Sequence, residues 1–221
     1  MRLNLLEAIK DIIIPPVCTV CSKPCTKPLC GSCRDEIEVL EEGICKRCGK
    51  KLEGPLCDFC RYEALPYYKA RSFACYSKTL KTILFQYKEE KMYALAGLLG
   101  DFLAQSFKLH YRYENIDFVD GLPCRHISTL CGQLESKLKI PYSNNFKKIG
   151  PVIKQKSLGA QDRRYNLIGA YKVADSLKFE GKDLLLVDDV FTTGSTLGHI
   201  AGLAKAAGAG KVYLLTVARG A

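Results

Sequence analysis

No apolar run in this 221-residue chain approaches the length that a bilayer-spanning helix needs, so a helical integral membrane protein is not expected. The opening stretch MRLNLLEAIKDIII also lacks the unbroken apolar segment of a secretory leader, because Glu7, Lys10 and Asp11 interrupt it. Leu5, Leu6, Ile9, Ile12 and Ile13 instead share one face of a short helix. Residues 1–16 are therefore expected to form an amphipathic helix that packs on the rest of the protein, with a peripheral membrane anchor as the minority reading. A cytoplasmic location follows as an expectation. Twelve cysteines in a reducing compartment point to metal rather than to disulfides.

Eight of those cysteines fall into two sets of identical spacing, C-x₂-C-x₈-C-x₂-C. Cys18, Cys21, Cys30 and Cys33 form the first; Cys45, Cys48, Cys57 and Cys60 form the second, displaced by 27 residues. The same shift superposes Pro28-Leu29-Cys30 on Pro55-Leu56-Cys57 and Lys23 on Lys50, so a whole unit is repeated. Each C-x₂-C knuckle aims two thiolates at one metal, and two knuckles complete a closed tetrahedral site. So short a unit cannot bury enough apolar surface alone, and metal binding would supply its folding energy. Two structural zinc ions are expected over residues 17–64, either one per unit or with ligands shared between units. Cys25 falls opposite Leu52 and reads as a small packing residue. Cys75, Cys124 and Cys131 stand singly and read as ordinary core or surface cysteines.

The remaining composition is that of a globular protein, with 48% hydrophobic and 25% charged residues. The formal charge of +10 falls to about +6 once two Cys₄–zinc sites, each net −2, are counted. That surplus favours an anionic partner, a phosphorylated ligand or nucleic acid. Lys23, Lys27, Arg34, Lys46, Arg47, Lys50 and Lys51 make the cysteine-rich module locally basic. It is either a stabilising appendage or a contact surface for nucleic acid or protein.

Beyond Leu65-Pro66 the pattern changes. Strands are expected over 69–76, 118–122, 171–174, 184–187 and 212–217, and helices over 80–87, 92–109 and 127–138. Their alternation implies parallel βαβ units around one sheet, an α/β domain over 65–221. Its most informative stretch is LLLVDDVFTTGSTL, residues 184–197. A wholly apolar run, fit for a strand buried on both faces, leads to Asp188 and Asp189. The turn Thr192-Thr193-Gly194-Ser195-Thr196 follows, then a helical pattern from Leu197. Open α/β sheets bind ligands at the carboxyl ends of their strands, and a helix N-terminus suits a phosphate. Gly194 permits close approach, and the four hydroxyls add donors. The acids would accept hydrogen bonds from a ribose diol or hold Mg²⁺ through water. Phosphate on one side of a sugar diol describes a 5-phosphoribosyl group. The plainer alternative is a helix capped by Ser195 beside a solvated acidic pair.

This run resembles the phosphoribosyl pyrophosphate (PRPP) motif of type I phosphoribosyltransferases. Joined to a double zinc ribbon, it resembles the ComF family, whose members are linked to natural DNA transformation. Ile14-Pro15-Pro16-Val17-Cys18, Gln86-Tyr87-Lys88, the run from Gln155-Lys156-Ser157-Leu158 through Arg163, Asn166 and Leu167 to Gly169-Ala170-Tyr171, and Gly208-Ala209 all carry that resemblance. It implies a type I phosphoribosyltransferase-like parallel sheet flanked by helices. It also implies that Mg²⁺–PRPP binds at Asp188, Asp189 and the Thr192–Thr196 turn. Arg163, on a flap over residues 155–171, would face pyrophosphate. The chain departs from the family after Pro123, where the R-G-x-N-Q run is absent and the loop is short. Only Arg125 and His126 remain there to hold pyrophosphate, and a lone histidine in such a loop reads more simply as a surface residue.

Two readings of function follow. One is a binding protein that keeps the phosphoribosyl site as a sensor or nucleotide-end grip and handles single-stranded DNA, with a helicase-like protein as a further partner; Phe59, Tyr62, Tyr67 and Tyr68 are candidates for base stacking. The other is an active transferase that passes the ribosyl group to a nitrogen acceptor and releases pyrophosphate. No stretch identifies that acceptor or a general base, so the catalytic residues are unassigned.

Overall fold

A computed structural model of the chain describes residues 16–150 and 169–220. The expected amphipathic helix over 1–16 lies almost wholly outside that range. So do Arg163, Asn166 and most of the expected flap.

The repeat visible in the cysteines is a repeat of structure. Val17 bridges Pro24 as Ile44 bridges Lys51. Cys18 and Cys45 donate their N–H to Lys23 and Lys50 at 2.8 Å, and Thr19 and Lys46 to Pro28 and Pro55. Two short helices, α1 (Gly31–Asp35) and α2 (Asp58–Tyr62), obey the same 27-residue shift. Cys25 and Leu52 make equivalent backbone bonds, to Pro16 and Gly43.

The α/β part contains β1 (Lys69–Cys75), α3 (Lys78–Lys88), α4 (Ala96–His110), β2 (Phe118–Gly121), α5 (Arg125–Leu138), β3 (Phe146–Lys148), β4 (Tyr171–Val173), β5 (Leu184–Phe191), α6 (Ser195–Ala206) and β6 (Val212–Arg219). The main sheet runs β1-β6-β5-β2, and every neighbouring pair is parallel. Strand alternation divides its residues between two cores. Leu185, Val187, Tyr213, Leu215 and Val217 face α3, α4 and α5. Leu184, Leu186, Val212 and Leu214 face α6, whose Leu197, Ile200, Ala201 and Ala204 bury the stripe expected from their spacing. Tight crossing at β2 needs Gly121, where an added Cβ would lie 2.6 Å from the Ile127 side chain.

Two departures from the sequence expectation matter. The strand at 171 is not part of the parallel sheet; β4 pairs antiparallel with β3, which the pattern did not reveal. Both are three residues long and lysine-rich, so neither offers the buried apolar run that a central parallel strand requires. Second, β5 does not stop at Val187 but continues to Phe191, so the acidic pair lies within the strand rather than after it. The zinc module packs directly on the sheet domain. The segment joining its two units runs along the outer edge of β1, where Leu40 donates to Phe73 and Cys75 to Glu38, both at 2.9 Å. It covers an edge that would otherwise expose unpaired backbone groups.

Candidate functional site

In each ribbon unit the four thiols lie within 4.8 Å of one another, and Cys25 belongs to neither cluster. Cys21 and Cys30 are 3.7 Å apart at sulfur, as are Cys48 and Cys57. Zinc–sulfur bonds of about 2.3 Å place tetrahedral sulfurs about 3.8 Å apart. The donor set and its spacing therefore fit one zinc per unit, and the shared-ligand alternative is not what the geometry favours. The units also match in their thiol chemistry. Burial pushes Cys18 and Cys45 up, but backbone N–H donors outweigh it and bring each down to about 6. Burial raises Cys33 and Cys60 far above the ordinary thiol range.

The acidic pair lies in the carboxyl-terminal half of β5, and both residues are buried. Asp188 accepts the N–H of Asp189 at 2.9 Å, and Asp189 accepts that of Val190 at 2.8 Å. Parity on β5 sends Asp189 toward the α3 and α5 side, as it does Leu185 and Val187. There its Oδ2 meets Lys88 Nζ at 2.7 Å and His126 Nε2 at 3.9 Å. Burial, and then the charge of Asp189, hold the Asp188 carboxyl well above the usual range. Burial disfavours the Lys88 ammonium, yet the two aspartates raise it above its ordinary value. The pair therefore sets one buried carboxyl beside another that is ion-paired to lysine. The carboxyl oxygens of such a pair can accept hydrogen bonds from vicinal hydroxyls. Its oxygens suit a hard cation, but Lys88 already neutralises Asp189, so a magnesium ion fits better on a ligand's own diphosphate than on this carboxylate.

The turn after β5 is shaped by packing. Gly194 has φ +73°, and a Cβ there would lie 2.5 Å from the Phe191 ring. Gly194, not Ser195, is the N-cap of α6, and it offers no side-chain cap. The first turn of a twelve-residue helix thus opens toward Thr193 and Ser195, whose hydroxyls are 2.8 Å apart. Arg219 braces this turn from β6. Its Nη1 donates to the carbonyls of Phe191 at 2.8 Å and Thr192 at 2.6 Å, and its guanidinium lies over the Phe191 ring.

The structure thus brings Asp188, Asp189, Thr192, Thr193, Gly194, Ser195 and Thr196 into one strand–turn–helix unit. Arg125 opens α5 with its guanidinium over Tyr93, 4.7 Å from the ring centre. His126 is no surface residue: its side chain is 19% exposed and faces Asp189. Sequence reasoning quoted Lys88 only for its resemblance and gave Arg219 no role. Neither has a local signal, because 101 residues separate Lys88 from Asp189 and 28 separate Arg219 from Phe191.

Comparison with known proteins adds the following. Residues 9–67 match the family described as a double zinc ribbon domain. Over 92 residues the chain is 40% identical to "Competence protein F" of Haemophilus influenzae, covering 41% of this chain and 40% of that protein. The chain thus spans well under half the length of the curated relative it matches. Among solved structures, a glutamine PRPP amidotransferase from B. subtilis is similar over 56% of this chain and 26% of its own, at 24% identity and a TM-score of 0.42. An adenine phosphoribosyltransferase from Thermoanaerobacter pseudethanolicus is similar over 59% and 83%, at 14% identity and a TM-score of 0.41.

Proposed function

This chain is ComF-like, a double zinc ribbon joined to a helix-flanked parallel sheet, and on that premise we propose that it binds PRPP or a phosphoribosyl group and assists single-stranded DNA handling in natural transformation. The observation that carries the reading is the succession, on one strand–turn–helix unit, of a buried acidic pair and a helix N-terminus that starts at a glycine and is edged with hydroxyls. The pair takes the ribose diol and the turn takes the 5-phosphate; magnesium accompanies the diphosphate. The surplus positive charge supplies a sequence-independent attraction for a DNA backbone. On this reading the protein works in the cytoplasm, beside a helicase-like partner.

Exchanging Asp188→Asn together with Asp189→Asn is expected to abolish Mg²⁺–PRPP binding in calorimetric titration, with the circular dichroism spectrum retained. Unchanged affinity would refute the site. The second reading, an active phosphoribosyltransferase, is favoured by His126 and Lys88 beside Asp189. Release of pyrophosphate from PRPP with a nitrogen acceptor would establish it. Single-stranded DNA affinity that falls steeply with salt, and shifts when Mg²⁺–PRPP is added, would establish the first.

A further inference from the structure

The turn proposed to hold the 5-phosphate has no cation of its own. Thr192 to Thr196 supply hydroxyls and a glycine but no lysine or arginine. A phosphate monoester carries about −1.5 to −2 charge at neutral pH, and a helix N-terminus offsets only about half a unit of it. The second zinc ribbon stands beside this turn. A cavity of about 250 Å³ is lined jointly by Lys50 of that ribbon, by Thr192, Thr193 and Ser195 of the turn, and by Arg219.

The two cations on that wall are not equally free. Arg219 directs Nη1 at the carbonyls of Phe191, Thr192 and Gly220, and its guanidinium lies over the Phe191 ring. Lys50 is exposed and makes no ion pair or side-chain hydrogen bond among the described residues, whereas the adjacent Lys51 pairs with Glu38. Cys48 and Cys57 line the same cavity, so a zinc-filled centre brings a net charge of about −2 to it. Lys50 and Arg219 together balance that charge. Without Lys50 the wall would be net negative and would repel a phosphate, the more so because Glu63 lines the adjoining cavity. The internal repeat supplies a contrast. Lys23 is the equivalent of Lys50 in the first ribbon, and the two carbonyls accept the N–H of Cys18 and Cys45, each at 2.8 Å. Yet Lys23 lines neither cavity at the turn, because the first ribbon packs under α3, α4 and α5 instead.

We propose that Lys50 of the second zinc ribbon is a ligand-binding residue of the phosphoribosyl site, its ammonium reaching across the cavity to the 5-phosphate on the turn. This deepens the phosphoribosyl reading and rests on it. The second ribbon is then part of the binding site, and its repeat-related partner is not.

The test titrates ribose 5-phosphate into the zinc-loaded full chain as wild type, Lys50→Gln, Lys50→Met, Lys50→Arg and Lys23→Gln, at low and at high salt. Both neutral variants at position 50 are expected to bind about fivefold more weakly, between the worth of an exposed ion pair and that of a charge-assisted hydrogen bond. Lys50→Arg should keep most of the affinity, and Lys23→Gln should match the wild type. The loss should narrow at about 0.5 M salt, where exposed charges are screened. Neutral variants that bind like the wild type would overturn the proposal. So would a Lys23→Gln loss of the same size, or a loss that salt leaves unchanged. Failure of the wild type to bind ribose 5-phosphate would instead overturn the phosphoribosyl reading itself. Zinc content of two ions per chain in each variant separates loss of the ammonium from loss of the ribbon.

Discussion

Asp120 shows at the residue scale how burial sets the protonation of acids around this sheet. It is fully buried near the end of β2, accepting N–H groups from Gly121 at 2.7 Å and Asn145 at 2.8 Å. Burial outweighs those donors and pushes its carboxyl up to about 7. The unfolded chain releases this proton near 3.8, the folded one only near 7. Between those values the folded state binds more protons, so raising the pH favours unfolding. The stability this group contributes is complete below 3.8 and lost as the pH passes 7. Asp188 acts in the same sense and from the same leading cause. Urea midpoints at pH 4.5 and 7.5 are expected to differ less in Asp120→Asn than in the wild type. An unchanged difference would remove Asp120 as a source of the pH dependence.

The decisive element is β5 with its turn and α6. Its shape depends on the Phe191 ring, packed beneath Gly194, edge-on to Tyr67 and covered by Arg219. A left-handed residue and a ring at contact distance leave no room for a side chain at 194. Gly194→Ala is therefore expected to lower stability by about 1–3 kcal/mol, the usual cost of such strain. Because the displaced atoms are those proposed to face the phosphate, ribose 5-phosphate affinity should fall about tenfold or more. Thermal melting and titration of one preparation check both; an alanine variant that binds as well as the wild type would show that the turn tolerates another path.

For the whole molecule, the two ribbons are equivalent in sequence but not in packing. Leu29, Cys18, Cys33 and Ile37 of the first merge with the core under α3, α4 and α5, and Gln86 Nε2 on α3 donates to the Thr19 carbonyl at 3.0 Å. The second has a small core of its own around Cys45, Cys48 and Cys60 and leans on the β1 edge. Losing metal from the first should therefore disturb the sheet domain, and from the second chiefly its own unit. Cys30→Ser is expected to lower the melting temperature more than Cys57→Ser, by roughly 10 °C if the difference is a few kcal/mol. Equal losses would mean that the ribbons contribute alike. Among the described residues no helix is long and apolar enough to cross a membrane.

Short-range pattern was enough for much of this. Metal-ligand spacing, a 27-residue repeat, helical stripes on α3, α5 and α6, and the apolar run of β5 are local signals, and each is read from neighbours a few residues apart. The succession of acids, hydroxyls and glycine on 188–196 was legible for the same reason. Where the signal was weak or the contact distant, tertiary structure decided. It paired β3 with β4 outside the main sheet, because three-residue lysine-rich strands carry almost no period. It extended β5 through the aspartates, because β6 supplies hydrogen-bond partners as far as Phe191. It set Lys88 and His126 against Asp189, Arg219 against the turn, and Phe59 of the second ribbon beside the phosphate loop. Chain closure over tens of residues created those juxtapositions, and burial, which no local pattern encodes, raised the Asp188 carboxyl above its ordinary range.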